Sequence, residues 1–423
     1  MNAKPTVYDF TFADLIPEPE GPQWLVDLKT RAGQVHKHLG VPTPATEEWK
    51  YTALRDLGGI NYKPARYEGQ VELPPLVEGS VRVVMVDGVF RFDLSTLPTV
   101  PGLSIGTLHG AIEANCEISR NHLGAAALID DHTFAALNTA LFVDGVLLHL
   151  VKGAMVAPLI EVVHVSATEN GICAPRVLIV AEEGSSARIV ETYLSSSSGT
   201  LTLPVTECFI AKDANVEHVR VQDERLDSRH IGLWQVRQEG SSEYRSYNIC
   251  FGSQLARIDQ SIWLGGPHVT TRLDGVVIGK GTQLLDNHTR LDHAFPHGNS
   301  FEIYKQIVDD KATVVFNGQI YVHQDAQKTD AKQTNQALLL SPDATINSKP
   351  QLEIFADDVK CTHGATVGAP ENDSLFYLRS RGVPLAEAEA LLVYAFAAEV
   401  IELITVESIR DRLEERLYTK LSS

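Results

Sequence analysis

The stretches AEEGSSARIVETY (181–193), AKDANVEHVRVQ (211–222) and RQEGSSEYRSYNI (237–249) share one pattern, in which an acidic turn precedes small polar residues and an alternating strand. VDDKATVVFNGQI (308–320) and SPDATINSKPQLEI (341–354) repeat that pattern further along the chain. Repeats with periods of roughly 20–50 residues are typical of solenoids. Because these units are rich in strand-forming residues, the pattern predicts a parallel β-helix in which each turn of chain stacks on the turn before it.

The spacing of the turn acids supports a repeat but leaves its length open. The acids are Glu183, Asp213, Glu239, Asp310 and Asp343, so the successive gaps are 30, 26, 71 and 33 residues. We interpret the gap of 71 residues as three units of roughly 24 residues, a length within the range of known repeats. A large β-sandwich is the alternative that this periodicity leaves open, because its short strands are also separated by regular turns.

Four Asp-Gly or Asn-Gly pairs that follow an apolar residue in the β-rich region predict tight turns, because these residue types tolerate the positive φ that such turns need. The pairs are Asp87-Gly88, Asp144-Gly145, Asp274-Gly275 and Asn317-Gly318. Helical periodicity is almost absent between residues 81 and 375, and we therefore expect this region to consist almost entirely of strands.

Apolar residues at helical spacing flank the β-rich region on both sides, from Pro22 to Gly40 and from Pro384 to Leu421. The C-terminal helix is interpreted as a cap that seals the open end of the solenoid, as a docking surface for a partner, or as both. The chain is accordingly divided into an N-terminal helical subdomain (1–80), a β-helix core (81–375) and a C-terminal helical subdomain (376–423).

The composition excludes several classes of protein. Among 423 residues, 36 Lys+Arg stand against 54 Asp+Glu, and the net charge of −18 argues against binding nucleic acid or an anionic membrane through bulk charge. Hydrophobic residues make up 44% of the chain, which excludes global disorder. No secretory signal or bilayer-spanning run is evident, and the five cysteines form no C-x-x-C pair. We therefore expect a soluble protein of a reducing compartment.

Two segments imitate functional motifs without identifying a function. GVVIGKGT (275–282) resembles a phosphate-binding loop, but three residues rather than four separate its first two loop glycines, and Gly281 follows Lys280 where Ser or Thr is needed. DNHTRLDHAFPH (286–297) places three histidines and two aspartates within twelve residues. That density fits either a metal site or a solvated strand face and turn.

Cys361 and His363 are the residues whose type and spacing best fit a metal site. They lie two residues apart, so on an extended strand both side chains project from one face. A thiolate and an imidazole together suit soft or borderline metals such as iron or zinc. Lys360 would favour the thiolate form of Cys361 if it lies close in space. The alternative is that both side chains serve only packing.

An enzymatic interpretation of the same region starts from four short motifs. Polysaccharide-cleaving β-helix enzymes of the polygalacturonase type use T-D, D-D, H-G and R-x-K motifs, and clustered carboxylates are what glycoside hydrolysis needs. The chain offers Thr329-Asp330, Asp357-Asp358, His363-Gly364 and Arg379-Ser380-Arg381. This interpretation is disfavoured because the His-Gly pair follows the Asp pair too closely, Arg381 replaces the expected lysine, and no secretion signal is evident.

An ordered series of longer segments resembles the SufB/SufD family of iron–sulfur cluster assembly scaffolds over most of the chain. The segments are EEWKYT (47–52), VVFNGQI (314–320), AQKTDAKQTNQALLL (326–340), KPQLEIFADDVKCTHGATVG (349–368), FYLRSRG (376–382) and YAFAAE (394–399). Within the family the chain is more similar to the SufD branch than to SufB. The segment around Asn335 has no cysteine where SufB carries a sulfur-accepting one, and Thr362 and Gly364 replace the acidic neighbours of the SufB histidine.

The resemblance implies a right-handed parallel β-helix between helical ends, in a non-catalytic chain that pairs with SufB and docks the SufC ATPase. It further implies that sulfur arrives from SufS and SufE on the SufB side, and that a transient iron or iron–sulfur cluster assembles at the SufB–SufD interface. By match to the family, His363 corresponds to the interfacial cluster-ligand histidine and Cys361 to a neighbouring interfacial cysteine.

The resemblance also assigns a role to the C-terminal helical part, which docks SufC in the family. Leu385, Leu392, Tyr394 and Phe396 are the residues that we expect at this contact. The isolated chain is expected to hold no cofactor stably and to be capable of homodimerising. Flavin binding has been associated with the family's complex, although the sequence contains no recognisable flavin motif.

Overall fold

The computed structural model describes residues 8–369 and 372–422 and shows a β-solenoid of about eight turns with N- and C-terminal helices. The predicted mainly-β solenoid is therefore confirmed. The β-sandwich alternative is wrong, because strands of successive turns stack in parallel register, whereas a sandwich pairs its neighbours antiparallel.

The regular elements of the described residues follow in chain order. The strands are β1 (Lys63–Pro64), β2 (Val81–Val86), β3 (Val89–Phe90), β4 (Leu103–Thr107), β5 (Val146–Leu150), β6 (Ile160–Ser166), β7 (Gly171–Cys173), β8 (Arg176–Ala181), β9 (Ser186–Ser195), β10 (Leu201–Thr202), β11 (Val205–Ile210), β12 (Asn215–Gln222), β13 (Arg229–Gln238), β14 (Glu243–Cys250), β15 (Leu255–Leu264), β16 (Thr270–Gly279), β17 (Leu284–His293), β18 (Asn299–Val308), β19 (Thr313–Val322), β20 (Asp330–Leu339), β21 (Thr345–Ile354) and β22 (Lys360–Gly368). The α-helices are α1 (Gln23–Leu39), α2 (Leu108–Glu113), α3 (Glu117–His122), α4 (Thr133–Leu141), α5 (Asn372–Ser380), α6 (Leu385–Ile401) and α7 (Glu407–Ser422). Short 3₁₀ turns lie at Ala13–Leu15, Glu47–Trp49, Arg55–Gly59 and Phe92–Leu94.

Two sheets face each other across a lumen, and each full turn adds one strand to each sheet. The twelve-stranded sheet runs β21-β19-β17-β15-β13-β11-β8-β5-β4, with β1, β7 and β10 beside this row. The ten-stranded sheet runs β22-β20-β18-β16-β14-β12-β9-β6-β2-β3. Apolar side chains of both sheets meet in one buried cluster in the lumen, which includes Ile262 and Ile320 from the first sheet and Leu273 and Ala331 from the second.

The register of the strands gives the length of the repeat. Leu233, Asp259, His288, Asn317 and Lys349 are successive partners, so one turn takes 26 to 32 residues. The interpretation of three 24-residue units is therefore wrong. The acidic turns before residue 240 precede strands of the ten-stranded sheet, whereas those after residue 300 precede strands of the twelve-stranded sheet. Because the change of sheet adds half a turn, the gap of 71 residues corresponds to two and a half solenoid turns of about 28 residues each.

The Asp-Gly and Asn-Gly pairs do not all form turns. Asp87-Gly88 joins β2 to the antiparallel β3 with positive φ at both residues, as predicted. The predicted turns at Asp274-Gly275 and Asn317-Gly318 are wrong, because these pairs lie within β16 and β19. A Cβ atom at Gly275 would collide with the ring of Tyr304, so glycine serves close packing there rather than a turn.

Three helices, α2 to α4, interrupt the region that was expected to contain almost only strands. Helix α4, TFAALNTAL, is buried over eight of its nine residues, so polar residues do not alternate with apolar ones at a helical period. Helices α2 and α3 have six residues each, too few to establish a period. These lengths and this burial explain why the sequence pattern missed them.

The N-terminal segments cover the outer face of the twelve-stranded sheet. Helix α1, predicted between Pro22 and Gly40, is present and packs on α4. Trp49 and Leu57 pack against Ile231 and Leu255 of the sheet in one buried cluster. The first solenoid strand, β2, begins at Val81, and the domain limit at residue 80 remains a prediction.

The C-terminal helices cover the outer face of the ten-stranded sheet. Val393, Ile401 and Leu413 pack against Tyr247 and Val276 of that sheet. The predicted helical region is present but breaks between α6 and α7 at residues 402–406. The interpretation of the helix as a cap over the open end is wrong, because its apolar stripe is buried on the side of the solenoid.

Candidate functional site

The last turn of the solenoid leaves both sheets with an uncovered edge. Strand β21 pairs with β19 and β22 pairs with β20, and no strand within the described ranges continues either sheet beyond them. Apolar side chains at this edge are exposed, at 39% for Ile354, 56% for Phe355 and 50% for Val367. Unpaired strand edges next to exposed apolar side chains offer a template for another chain. This open end is therefore the candidate functional site.

Cys361 and His363 lie on β22, at the rim of this open end. Cys361 is half-buried and packs against the lumen cluster, in register with the buried Ala331. Strand alternation places His363 on the same side, in register with the buried Gln333, although the imidazole itself is exposed. The shared face that the spacing predicted is present, and it is the face that continues the lumen.

The surroundings of Cys361 disfavour its thiolate. Burial raises the pKa of the thiol, and the nearby Asp330 carboxylate adds to this, while a hydrogen bond with the backbone of Ala331 acts in the opposite direction. The expected activation of Cys361 by Lys360 is therefore wrong in direction. His363 is the more accessible ligand of the two, because its imidazole is exposed whereas the Cys361 thiol is half-buried.

Helix α6 presents the four residues that were predicted to contact a partner. Leu385 is 44% exposed, whereas Leu392, Tyr394 and Phe396 are half-buried. Tyr394 and Phe396 pack against the apolar cluster between helix and sheet. Leu385 is thus the most exposed member of the set, and the two aromatic residues also hold α6 in place.

Two further aromatic residues with exposed rings were not among the predicted contact residues. Phe376 and Tyr377 on α5 are 74% and 57% exposed, just before the start of α6. Leu391 on α6 is 46% exposed. Both aromatic residues lie in the segment FYLRSRG, which contributed to the family resemblance. A nine-residue helix of mixed composition has too little periodicity to be recognised from its sequence.

The family follows from comparison with known proteins. A family model described as "SUF system FeS cluster assembly, SufBD core domain" matches residues 164–396, and "SufBD protein N-terminal region" matches residues 14–162. The chain belongs to the SufBD family. It is an iron–sulfur cluster assembly protein of that family, and its relatives include proteins named SufD.

Three relatives show how far the similarity extends. An iron–sulfur cluster assembly SufBD family protein of Synechocystis sp. is 31% identical over 411 residues, covering 92% of this chain and 90% of the relative. The iron–sulfur cluster assembly protein SufD of Escherichia coli K12 is 31% identical over 407 residues, covering 92% and 93%. Protein ABCI7, chloroplastic, of Arabidopsis thaliana is 38% identical over 241 residues, covering 56% of this chain and 51% of the relative.

The histidine-rich segment 286–297 is built into the solenoid wall. His288 Nε2 lies 3.0 Å from Asp286 Oδ1, and Arg257 donates to Asp286 Oδ2 at 2.9 Å. Thr52 donates to the same oxygen at 2.5 Å, so the cluster ties the N-terminal segment to the sheet. No group of three or more His, Cys, Asp or Glu residues is arranged to hold a metal ion in the described chain. The segment does form a strand, but the predicted solvated face is wrong, because Asp286, Asp292 and His293 are all buried.

The four motifs of the enzymatic interpretation do not share one face. Asp330 alternates with the lumen-facing Ala331 and therefore points outward, whereas His363 lies on the lumen side. Asp358 is in a loop and pairs with Lys328, and Arg379 lies on α5, outside the solenoid. The clustered carboxylates that glycoside hydrolysis requires are not assembled by these residues.

A cavity of about 600 Å³ lies on the outer face of the twelve-stranded sheet. Polar and charged side chains line most of it, including Arg290, which pairs with Asp292, and Lys349, which pairs with Glu47. Trp49 in its wall is buried under the Arg257 guanidinium, 3.8 Å from the ring centroid. This cavity does not offer the apolar slot that a flavin ring needs.

None of the helices in the described ranges is both long enough and apolar enough to cross a membrane.

Proposed function

We propose that this chain is a SufD-type scaffold subunit, which pairs with SufB through the open end of the solenoid and docks SufC through α5 and α6. The observation that carries this proposal is the uncovered last turn, where two free sheet edges surround His363. Exposed Phe355 and Val367 supply apolar surface for a stable interface. The names of the relatives support the assembly role, and their bacterial sources support a site of action in the cytoplasm.

In this proposal the chain itself catalyses no reaction. His363 lends an imidazole nitrogen to a transient iron or iron–sulfur cluster that assembles between the subunits, because imidazole suits iron. Cys361 is the weaker ligand, since its raised pKa keeps the thiol protonated. ATP hydrolysis belongs to SufC, and sulfur arrives on the SufB side from SufS and SufE.

Co-expression with the cognate SufB and SufC tests the role of His363. We expect His363→Ala to leave the complex intact by size-exclusion chromatography but to reduce cluster loading after anaerobic reconstitution, measured by absorbance and Mössbauer spectroscopy. Thr362→Ala is the matched control, because Thr362 is exposed on the same strand and alternates to the opposite face. Full loading of His363→Ala would contradict the proposed ligand.

Charge substitutions at the open end test the interface with SufB. We expect Phe355→Glu combined with Val367→Asp to abolish co-purification with SufB while the circular dichroism spectrum of the isolated chain stays unchanged. Leu226→Asp is the control, because Leu226 is 58% exposed in a turn far along the chain from the last strands. If the double variant still co-purifies with SufB, this edge is excluded as the interface. If the wild-type chain forms a homodimer and the double variant does not, self-association uses the same edge.

A separate pair of substitutions tests docking of SufC. We expect Phe376→Glu or Leu385→Glu to release SufC while pairing with SufB persists. Tyr418→Glu on α7 is the control, because its side chain is 69% exposed and belongs to the neighbouring helix. Release of SufC by the control alone would move the proposed contact from α5 and α6 to α7.

A further inference from the structure

A buried row of hydrogen-bonded side chains runs through the lumen to the strand that carries His363. Thr289 Oγ1 donates to Glu302 Oε1 at 2.6 Å, and Gln333 Nε2 donates to Glu302 Oε2 at 2.7 Å. Thr289 is 3% exposed, and Glu302 and Gln333 are 1% exposed. Glu302, Gln333 and His363 are successive partners in register on β18, β20 and β22. The row therefore ends beneath the proposed ligand.

The hydrogen bond to Glu302 determines which end of the Gln333 amide is free to bind another group. An amide has donors at its nitrogen and acceptor sites at its oxygen, and here the nitrogen is used by the carboxylate. The other end, Gln333 Oε1, is buried and has no hydrogen-bond partner among the described residues. A buried carbonyl oxygen left unpaired costs about 1–3 kcal/mol, so an acceptor is held next to the last strand at a real energetic cost.

The Gln333 side chain occupies space that a glycine in the facing sheet leaves open. Gly318 on β19 lies opposite, and a Cβ atom there would collide with the amide of Gln333. A glycine within a strand weakens the strand, and it commonly marks a close approach by another group. The position of Gln333 is thus determined from two directions, by the Glu302 carboxylate and by the absent side chain at residue 318.

We propose that Glu302 and Gln333 are positioning residues for His363, with Gln333 Oε1 accepting the N–H of one imidazole nitrogen so that the other nitrogen is unprotonated and faces the interface. Neighbouring strands lie about 4.8 Å apart, which two side chains of this length can bridge. Histidines that bind metals commonly donate their second N–H to a carbonyl or carboxylate, which fixes the tautomer. The inference rests on the proposed function of His363 and adds the residues that prepare it.

The tautomer of His363 is measurable in the full chain without iron. With ¹⁵N-histidine labelling, the His363 signals are assigned by their loss in His363→Ala. The spectra are recorded at pH 8.5, above the pKa of Glu302, which burial raises to about 7 against the opposing hydrogen bonds from Thr289 and Gln333. We expect the wild-type chain to show one dominant tautomer, with a ratio that differs from that of free histidine.

Three variants separate positioning from a merely structural role. Gln333→Leu removes the acceptor and should return His363 to the tautomer ratio of free histidine, and Glu302→Gln should do the same by freeing the amide to turn over. Exchanging the two groups in Glu302→Gln/Gln333→Glu keeps one donor and one acceptor between the two positions, leaves an acceptor beside His363, and should restore a single tautomer. Gln306→Leu is the matched control, because Gln306 is a fully buried lumen glutamine on the same strand as Glu302 and should leave His363 unchanged.

An unchanged His363 tautomer in a folded Gln333→Leu chain would overturn the inference. If that variant does not fold, Glu302→Gln decides in the same way. In the complex with SufB, we expect Gln333→Leu to weaken iron binding about 10–100-fold. The two proposals can fail independently. A fixed His363 tautomer in the wild-type chain together with full cluster loading of His363→Ala would refute the ligand role. A wild-type tautomer ratio like that of free histidine, together with lost loading of His363→Ala, would refute only the positioning.

Discussion

The guanidinium of Arg176 lies 2.5 Å from Glu207 Oε1, and both side chains are completely buried. Glu207 also accepts the backbone N–H groups of Gly124 and Ala126 at 2.9 Å, while Arg176 donates to Asn138 on α4 at 2.9 Å. The pair therefore joins the helical insertion to strands β8 and β11. Without Glu207, the backbone N–H groups of Gly124, Ala126 and Ala127 and the buried charge of Arg176 would each lose this partner.

We expect Arg176→Met to lower the free energy of unfolding by about 3–5 kcal/mol, because it leaves the Glu207 carboxylate buried without its counter-charge. Urea unfolding followed by circular dichroism measures this. Arg225→Met is the control, since Arg225 pairs with Asp227 at the surface and exposed pairs contribute less than about 1 kcal/mol. Equal losses in the two variants would contradict this account.

We expect Gly318→Ala to destabilise the solenoid by about 1–3 kcal/mol, because the added Cβ atom would meet Gln333 and Phe316 in a filled lumen. Gly364→Ala is the matched control on β22, where no described atom lies within 4 Å of the added Cβ, and it should be neutral or slightly stabilising. Thermal denaturation compares the two. A neutral Gly318→Ala would show that the lumen has room at this position.

We expect stability to fall between pH 6.5 and 9 through His288. Burial disfavours its charge and the Arg257 guanidinium adds to this, but the attraction of the Asp286 carboxylate and the hydrogen bonds to Asp286 and Glu48 together outweigh both and raise the pKa of His288 to about 9. Because the folded pKa lies above the unfolded value of 6.5, the stabilisation is complete below pH 6.5 and is lost as the pH rises through about 9. The largest loss is about 3 kcal/mol.

His288→Gln should remove this pH dependence. Urea unfolding of the wild-type chain and the variant at pH 6 and pH 9.5 gives the comparison, and the wild-type chain should lose about 3 kcal/mol more than the variant. Parallel losses in both proteins would assign the pH dependence to other groups.

We expect Lys305→Met to loosen α6 from the sheet. The buried Lys305 ammonium donates to Glu399 Oε2 at 2.5 Å and lies 4.4 Å from the centre of the Phe396 ring. Hydrogen exchange of α6 amides should accelerate roughly tenfold, which corresponds to about 1.4 kcal/mol. Lys332→Met is the control, because Lys332 is half-exposed and the partners of its ammonium, Asp330 and the Phe301 ring, both lie on strands of the sheet. Unchanged exchange in α6 would contradict the anchoring role.

Much of the fold was predictable from local sequence. Acidic turns and two-residue alternation identify strands and their spacing, because turn conformation and strand alternation depend on residues close together in the chain. The helix at residues 23–39 followed in the same way from its apolar period. The pairs Asp274-Gly275 and Asn317-Gly318 led to wrong turn predictions. Glycine suits a tight turn, but it also suits a strand position where a neighbouring side chain packs against the backbone.

The candidate site was only half predictable. Two residues on one strand, Cys361 and His363, share a face whatever surrounds them, so their spacing sufficed. Glu302 and Gln333 are 31 residues apart, and only the register of β18 against β20 brings them together beneath His363. A slip of one residue would turn each side chain to the opposite face, so this row exists only in the assembled solenoid.

Sequence patterns and motifs were enough to predict a parallel β-solenoid with helical ends, its family, and the shared strand face of Cys361 and His363. The folded chain was needed to show that the C-terminal helices cover the side of the solenoid and leave its end open, since an apolar stripe shows that a helix is buried but not which surface it packs against. It also decided the partners of each lumen side chain, because those contacts depend on strand register over whole turns.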